Sequence, residues 1–473
     1  MLFNSFIFWV FFALVLLIYR ALPHTQQNRF LLLASYIFYG YWDYRFLALL
    51  FISTAATYYI VHAISVSHSP AGRKQLLTIS VVFNFGLLGF FKYYNFFAGE
   101  FATLLQNIGL SLPLPFIEVI LPAGISFYTF QAVSYTVDVY RRESHPVKDF
   151  VDFALYKSFF PQLVAGPIER PGHLLPQILK PRLVTAENFS EGLYHVLFGL
   201  FKKVVVADNM APIVNQIFSR PVSDLTGPEV LLGIYAFTFQ IYGDFSGYSS
   251  IAQGIAKWMG FELSWNFKMP YFSSTPSEFW QRWHITLSAW LRDYLYIPLG
   301  GNRKGQLLTQ RNLMVTMLLG GLWHGAGWTF ILWGFYHGLL LVFYRIGGYL
   351  NSLHGLKISS TRVTRILAVI LFFHLICISW LLFRAKSADQ AWNMLLLVVS
   401  DFTVTDLTRY GFAMLAFFVT PFMILELWIE RSGDLLRVVN SHWTFRAMVY
   451  SYFIVMLWVF PPLTSQAFIY FQF

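Results

Sequence analysis

Apolar residues run along this chain in stretches close to the roughly 20 residues that cross a bilayer as a helix. Phe3 to Ile18, Phe46 to Ile64, Leu77 to Phe91, Val119 to Val139, Val230 to Tyr242, Thr329 to Phe343, Ile366 to Phe383, Tyr410 to Trp428 and Met448 to Leu463 each predict a span. Shorter runs at Leu31 to Tyr41, Ala154 to Ala165, Leu193 to Val206 and Leu313 to Trp323 predict further spans, buried half-helices or re-entrant pieces. The pattern predicts an all-α polytopic membrane protein of about ten to thirteen membrane elements. No internal repeat, low-complexity tract or long polar insertion is visible, so residues 1–473 read as a single membrane domain. Three loops interrupt it, at 141–150, 166–190 and 350–365. The second is rich in proline and predicts an extended or broken segment at the bilayer surface.

Composition agrees, since 57% hydrophobic against 12% charged residues lies outside the range of soluble domains. A formal net charge of +10 raises nucleic acid as a partner, but the basic residues are scattered through short loops. That distribution favours anionic membrane lipid and argues against nucleic acid. Arg20 and Arg29, Arg73 and Lys74, Arg141 and Arg142, Lys357, Arg362 and Arg365, and Arg431 and Arg437 fall in loops that can all face the cytoplasm. Both termini are then predicted outside, with Arg384, Lys386 and Arg409 also on the outer side. Because no basic residue precedes the first apolar run and Arg20 follows it, that run reads as a retained anchor, not a cleaved signal peptide. The lone Cys377 leaves no intramolecular disulfide and no cysteine-based metal cluster to build.

Candidate chemistry gathers in two places. "NFKMPYFSSTPSEFWQRWHITLSAWLRDYLYIPLGGNRKGQ", from Asn266, carries Glu278, Arg282, His284, Arg292 and Asp293 in an aromatic stretch too charged to face lipid. Ser277 after Pro276 predicts the cap of a helix running toward Ile297, ended by Pro298 and Gly300-Gly301. On it Glu278 pairs with Arg282, and Trp280 with His284, at a spacing of four, while Phe279, Trp283 and Leu287 form another stripe. An interfacial amphipathic helix explains the tryptophans but not the histidine or the arginine–aspartate pair. Further on, "LLGGLWHGAGW" sets His324 after a half-span and among glycines that disfavour a straight continuous helix. Broken helices survive in membranes where freed backbone is buried in protein or lines a wet cavity, so His324 is predicted to face a cavity, and an ionisable residue there is a functional candidate. His337 and His374 read as packing histidines. His284, His324 and His337 lack the spacing and carboxylates of a metal site. No phosphate-binding loop, dinucleotide fingerprint or serine elbow is present.

"SEFWQRWHITLSAWLRDYLYIPLGGNR" and "LLGGLWHGAGWTFILWGFYHG" closely resemble the membrane-bound O-acyltransferases, in the bacterial branch containing alginate O-acetyltransferase. "LPAGISFYTFQAVSYTVDVYR", "FFPQLVAGPIERP" and "QIYGDFSGYSSIAQGIAKWMGFEL" add to the resemblance, which runs to about residue 345 and more loosely beyond, with 121–345 as the catalytic core. It implies a ring of membrane helices and re-entrant elements around a tunnel in the bacterial cytoplasmic membrane. It assigns catalysis to the position of His324 and a second signature to that of His284, and their separation of 324 − 284 = 40 residues fits. Gly327 stands where asparagine is more usual, which bears on cavity polarity and not on class.

The resemblance further implies an acyl group, in this branch acetyl, taken from a cytoplasmic thioester such as acetyl-coenzyme A, with no bound cofactor or metal. His324 can act as general base toward an attacking hydroxyl, or can itself accept the acyl group. Arg282, Arg292, Arg303 and Lys304 can attract the donor's phosphates or snorkel at the interface. Trp283, Asp293, Tyr294, Trp323 and Trp328 are the remaining candidate donor and tunnel residues. The implied acceptor is an extracytoplasmic polysaccharide such as alginate, cellulose or peptidoglycan, reached through a partner acetyltransferase. An acyltransferase acting on a lipid or protein would keep the same site. A transporter of polysaccharide or lipid would show paired half-chain repeats.

Overall fold

The computed structural model describes residues 1–110, 117, 120–353, 361–462 and 468–469, with the side chains of 350–353 outside that description. Lys357, used in predicting orientation, and the C-terminal Phe473, predicted to lie outside, are not among the described residues. The described residues are all-α, without a strand. Among the described residues five helices are long and apolar enough to cross a bilayer: Arg45–Val66, Pro70–Asn107, Trp328–Tyr349, Arg362–Arg384 and Asp406–Ser432. Phe6–Ala21 and Trp443–Val459 are shorter apolar helices. The chain is a multi-pass membrane protein.

Several other predicted elements take a different form, for a physical reason. Ile125–Arg141 is enclosed along nearly its whole length, with Thr129, Gln131, Ser134 and Thr136 buried, so it belongs to the protein interior more than to a lipid-facing surface. The run at Ala154 to Ala165 is split into Phe150–Ser158 and Phe160–Leu163 at a non-helical Phe159, because Pro161, in the first turn of the second piece, has no N–H with which to continue the first. The run at Leu193 to Val206 continues Ala186–Leu200 into a widened, π-type turn at Phe201–Ala207.

Contacts gather into two compact units. The first comprises Met1–Gly192 and Ala252–Ser264. Its helices enclose a polar layer in which the fully buried Lys157 donates to Ser53 Oγ at 2.6 Å and lies over the Tyr128 ring, while Ser53 donates to Asn84 Oδ1 at 3.0 Å. Gly124, at φ +74, starts Ile125–Arg141 where an added Cβ would lie 2.5 Å from the Leu163 carbonyl oxygen. Buried Glu169 accepts from the backbone N–H of Ser264 and sits 2.6 Å from His173 Nδ1.

The second unit comprises Leu193–Ile251 and Trp265–Phe473. Within it Lys203 bridges Asp208 at 2.6 Å and Asp244 at 2.8 Å, and Tyr242 donates to Glu426 at 2.6 Å. Burying these charges is tolerable only because they are paired. The unit also contains a tight hairpin of Gln306–His324 and Trp328–Leu353. Gly321 and Gly334 face each other there, and a Cβ on Gly321 would lie 2.2 Å from the Phe330 carbonyl oxygen. Small residues let membrane helices approach backbone to backbone.

Candidate active site

The hairpin places His324. Its first helix begins at Gly305, tied back by Asn312, whose Nδ2 donates to the Gly301 carbonyl at 3.0 Å. It runs unbroken through Gly320-Gly321, where the sequence predicted interruption, and stops at His324 because Gly325 is fully extended. A Cβ on Gly325 would lie 2.1 Å from the Phe330 ring, so a side chain there has no room. His324 is therefore the last residue of its helix, 3% exposed. Its ring meets Trp323 at 5.0 Å, Trp333 at 4.9 Å and Phe383 at 5.3 Å, each edge-on.

The wall that shares this cavity differs from the predicted continuous helix. The cap is Thr275 instead of Ser277: its hydroxyl accepts the Glu278 N–H at 3.0 Å and starts a short helix, Pro276–Trp280. The chain then breaks and resumes as Ile285–Leu291, followed by a widened turn at Arg292–Tyr296. His284 sits at the break with φ 42 and ψ 55. A non-glycine residue in that region costs roughly 1–3 kcal/mol and persists where its surroundings over-determine it.

Those surroundings are explicit. Asn266 accepts the Ile285 N–H on its carbonyl at 3.0 Å and the Thr286 hydroxyl on Oδ1 at 2.8 Å. Lys268 donates its N–H to the Arg282 carbonyl at 2.9 Å. Arg282 reaches Glu278 and Glu430, each at 2.8 Å. The predicted four-residue spacing of Glu278 and Arg282 thus yields an ion pair. The break instead turns His284, fully buried, edge-on to Phe245 at 4.6 Å and toward Trp323 at 5.8 Å. Trp323 consequently touches both histidine rings.

A cavity of about 380 Å³ lies beside this arrangement. One wall is a stripe of Gln306–His324, formed by Leu313, Thr316, Met317, Gly320 and His324. Facing it are Ile285, Ser288, Leu291, Arg292 and Tyr296, with Trp280, Gln281 and Trp333 completing the enclosure. Such a volume, mostly apolar with a few polar groups, suits a small ligand or the reacting part of a larger one. Arg292 is exposed and paired with Asp293 at 2.6 Å. The turn that follows folds back through Gly301, whose N–H donates to the Tyr296 carbonyl, and carries exposed Arg303 and Lys304.

Of the residues singled out from sequence, His324 and Arg292 line the cavity, and Trp323 stands between the two histidines. Trp283 is buried against Phe279 and Trp380. Tyr294 packs on Trp290, and Trp328 is exposed at the start of the second hairpin helix. His337 stacks on Phe279 in the aromatic packing, and His374 bonds Tyr235 and the Ile370 carbonyl. The sequence reading passed over Gln281, Thr316 and Trp333 and gave Trp280 and Gly320 no place in the site, although Thr316, Gly320 and His324 recur at the spacing of one helix face.

The sequence profile of the membrane-bound O-acyltransferase family matches residues 36–384, most of the chain and all of this site. The chain belongs to that family. It is an acyltransferase, similar to the probable alginate O-acetylase AlgI of Azotobacter vinelandii, at 42% identity over 86% of this chain and 80% of that one. The Pseudomonas aeruginosa protein of the same name is 40% identical over 83% of this chain and 74% of its own. The peptidoglycan O-acetyltransferase of Helicobacter pylori is 37% identical over 77% and 72%. In this acyltransferase the matched span contains His284, His324 and the break that orients His284.

Proposed function

We propose that this acyltransferase moves an acetyl group from a cytoplasmic thioester, of coenzyme A or a carrier protein, toward hydroxyl groups of an exported polysaccharide, with an extracytoplasmic acetyltransferase as partner. The observation that carries the reading is His324, a buried imidazole at a helix end on the wall of a largely apolar cavity. The relatives' names, alginate O-acetylase and peptidoglycan O-acetyltransferase, support acetyl and a polymer. His324 takes the proton of the attacking hydroxyl as its oxygen bonds to the thioester carbonyl carbon. The carbon–sulfur bond then breaks, and the thiolate leaves and is protonated. Exposed Arg292, Arg303 and Lys304 beside Tyr296 suit a phosphate-bearing donor. The loops at Arg73-Lys74 and Arg141-Arg142 then face the cytoplasm of a bacterial inner membrane, and both termini face outward.

The test compares host cells with and without the chain, measuring ester-linked acetyl in exported polysaccharide, lipid and protein fractions. Loss confined to the polysaccharide and restored by the chain is expected. An unchanged polymer, or loss from lipid or protein instead, overturns the reading.

His284 acts as a positioning residue, through Trp323, on His324. His284→Ala is expected to lower kcat by about tenfold to a hundredfold, the scale of a small misplacement, with donor KM little changed. His284→Asn should retain more activity, because asparagine tolerates the left-handed backbone at this position. Complete inactivity of His284→Ala with intact donor binding would reverse the roles of the two histidines.

A further inference from the structure

Gly320 and Leu291 meet across the cavity from different elements. Gly320 precedes His324 by one helical turn, so both face the same way, and both line the cavity. Leu291 ends the short helix on the opposite wall and also lines the cavity. A Cβ built on Gly320 would lie 3.3 Å from Leu291 Cδ1, with no other contact from outside its own helix backbone within 4 Å among the described residues. The bare Cα of Gly320 and a leucine methyl are thus in contact, and together they close this stretch of the cavity wall. Thr316 and Met317 widen the same face one turn further from His324. A group reacting at His324 therefore meets the wall that Gly320 and Leu291 close together.

We propose that Leu291 and Gly320 form a size gauge beside His324 that admits an acetyl group and rejects longer acyl chains. This rests on the acyl-transfer reading above and adds the identity of the side chains that select the acyl group. Selection of this kind is steric, so it reverses in sign with the volume of either partner. One methylene in an apolar pocket is commonly worth about 10-fold to 200-fold in specificity.

The test measures transfer from acetyl, propionyl and butyryl thioesters in membranes containing the full chain. Wild type should prefer acetyl. Leu291→Ala should raise the butyryl-to-acetyl ratio at least about tenfold, and Leu291→Val, should the alanine variant fail to insert, should raise the propionyl-to-acetyl ratio. Gly320→Ala should act oppositely, lowering the propionyl-to-acetyl ratio by about tenfold. Equal use of butyryl and acetyl by wild type, ratios unmoved in the variants, or loss of every acyl transfer by a normally inserted Gly320→Ala overturns the gauge. Failure of the underlying reading is distinguishable: acetyl transfer would then be absent in wild type or indifferent to His324→Ala.

Discussion

His324→Ala should abolish measurable acyl transfer while the protein still reaches the membrane at its usual level. The expected loss is at least about a hundredfold, since a positioned general base contributes roughly 10²–10⁴-fold. Alanine also removes ring contacts with Trp323, Trp333 and Phe383, so a second substitution is needed to separate chemistry from packing. His324→Gln keeps most of the side-chain volume without a group that titrates as imidazole does. It should be as inactive as the alanine variant and more stable to heat in detergent. The measurements are ester-linked acyl product per inserted protein and thermal unfolding of the extracted protein. Retention of wild-type transfer by either variant would remove His324 from the chemistry and leave it as a packed helix terminus.

The sequence revealed the class of this protein because spanning helices carry an unusually loud signal. Arg362–Arg384 and Asp406–Ser432 lie over the runs from which they were predicted, and the hairpin bearing His324 turns at the Gly325 to Gly327 segment that attracted attention. The interior elements were harder to read because they bury polar residues on partners distant in sequence. Lys203 in an apolar run signals its two aspartates only after folding brings Asp244 beside it.

The break at His284 was illegible for a related reason. Helical spacing from Ser277 to Ile297 looked continuous, and the groups that stop the helix are supplied by Asn266 and Lys268 from the preceding loop. The structural consequence is large, because continuity would have placed His284 under Trp280. The observed kink turns it toward Trp323 and hence toward His324. Glu278 and Arg282 were legible because their interaction is local, whereas Glu430, which completes the clamp, was not.

Gly321→Val should cost both the fold and the activity. Gly321 lies three residues before His324, and its missing side chain is what lets the two hairpin helices meet. An added Cβ would stand 2.2 Å from the Phe330 carbonyl oxygen and 3.1 Å from the Gly334 backbone. Gly334 reciprocates, with a Cβ 2.3 Å from the Met317 carbonyl oxygen. Backbone atoms cannot swing aside as a flexible side chain can, so valine must part the helices, a change expected to cost about 3 kcal/mol or more. Parting them would also displace His324 from Trp333, which belongs to the second helix, and open the wall on which Gly320 lies. The expected result is a marked fall in thermal stability in detergent and loss of acyl transfer even in the fraction that folds. Gly348→Ala provides the contrast on the same second helix, because among the described residues a Cβ there meets nothing within 4 Å beyond its own helix backbone. It should leave transfer intact and stabilise slightly, by about 0.5–1 kcal/mol from helix propensity. Equal stability of Gly321→Val and wild type would mean that the hairpin does not need backbone contact to hold His324 in place.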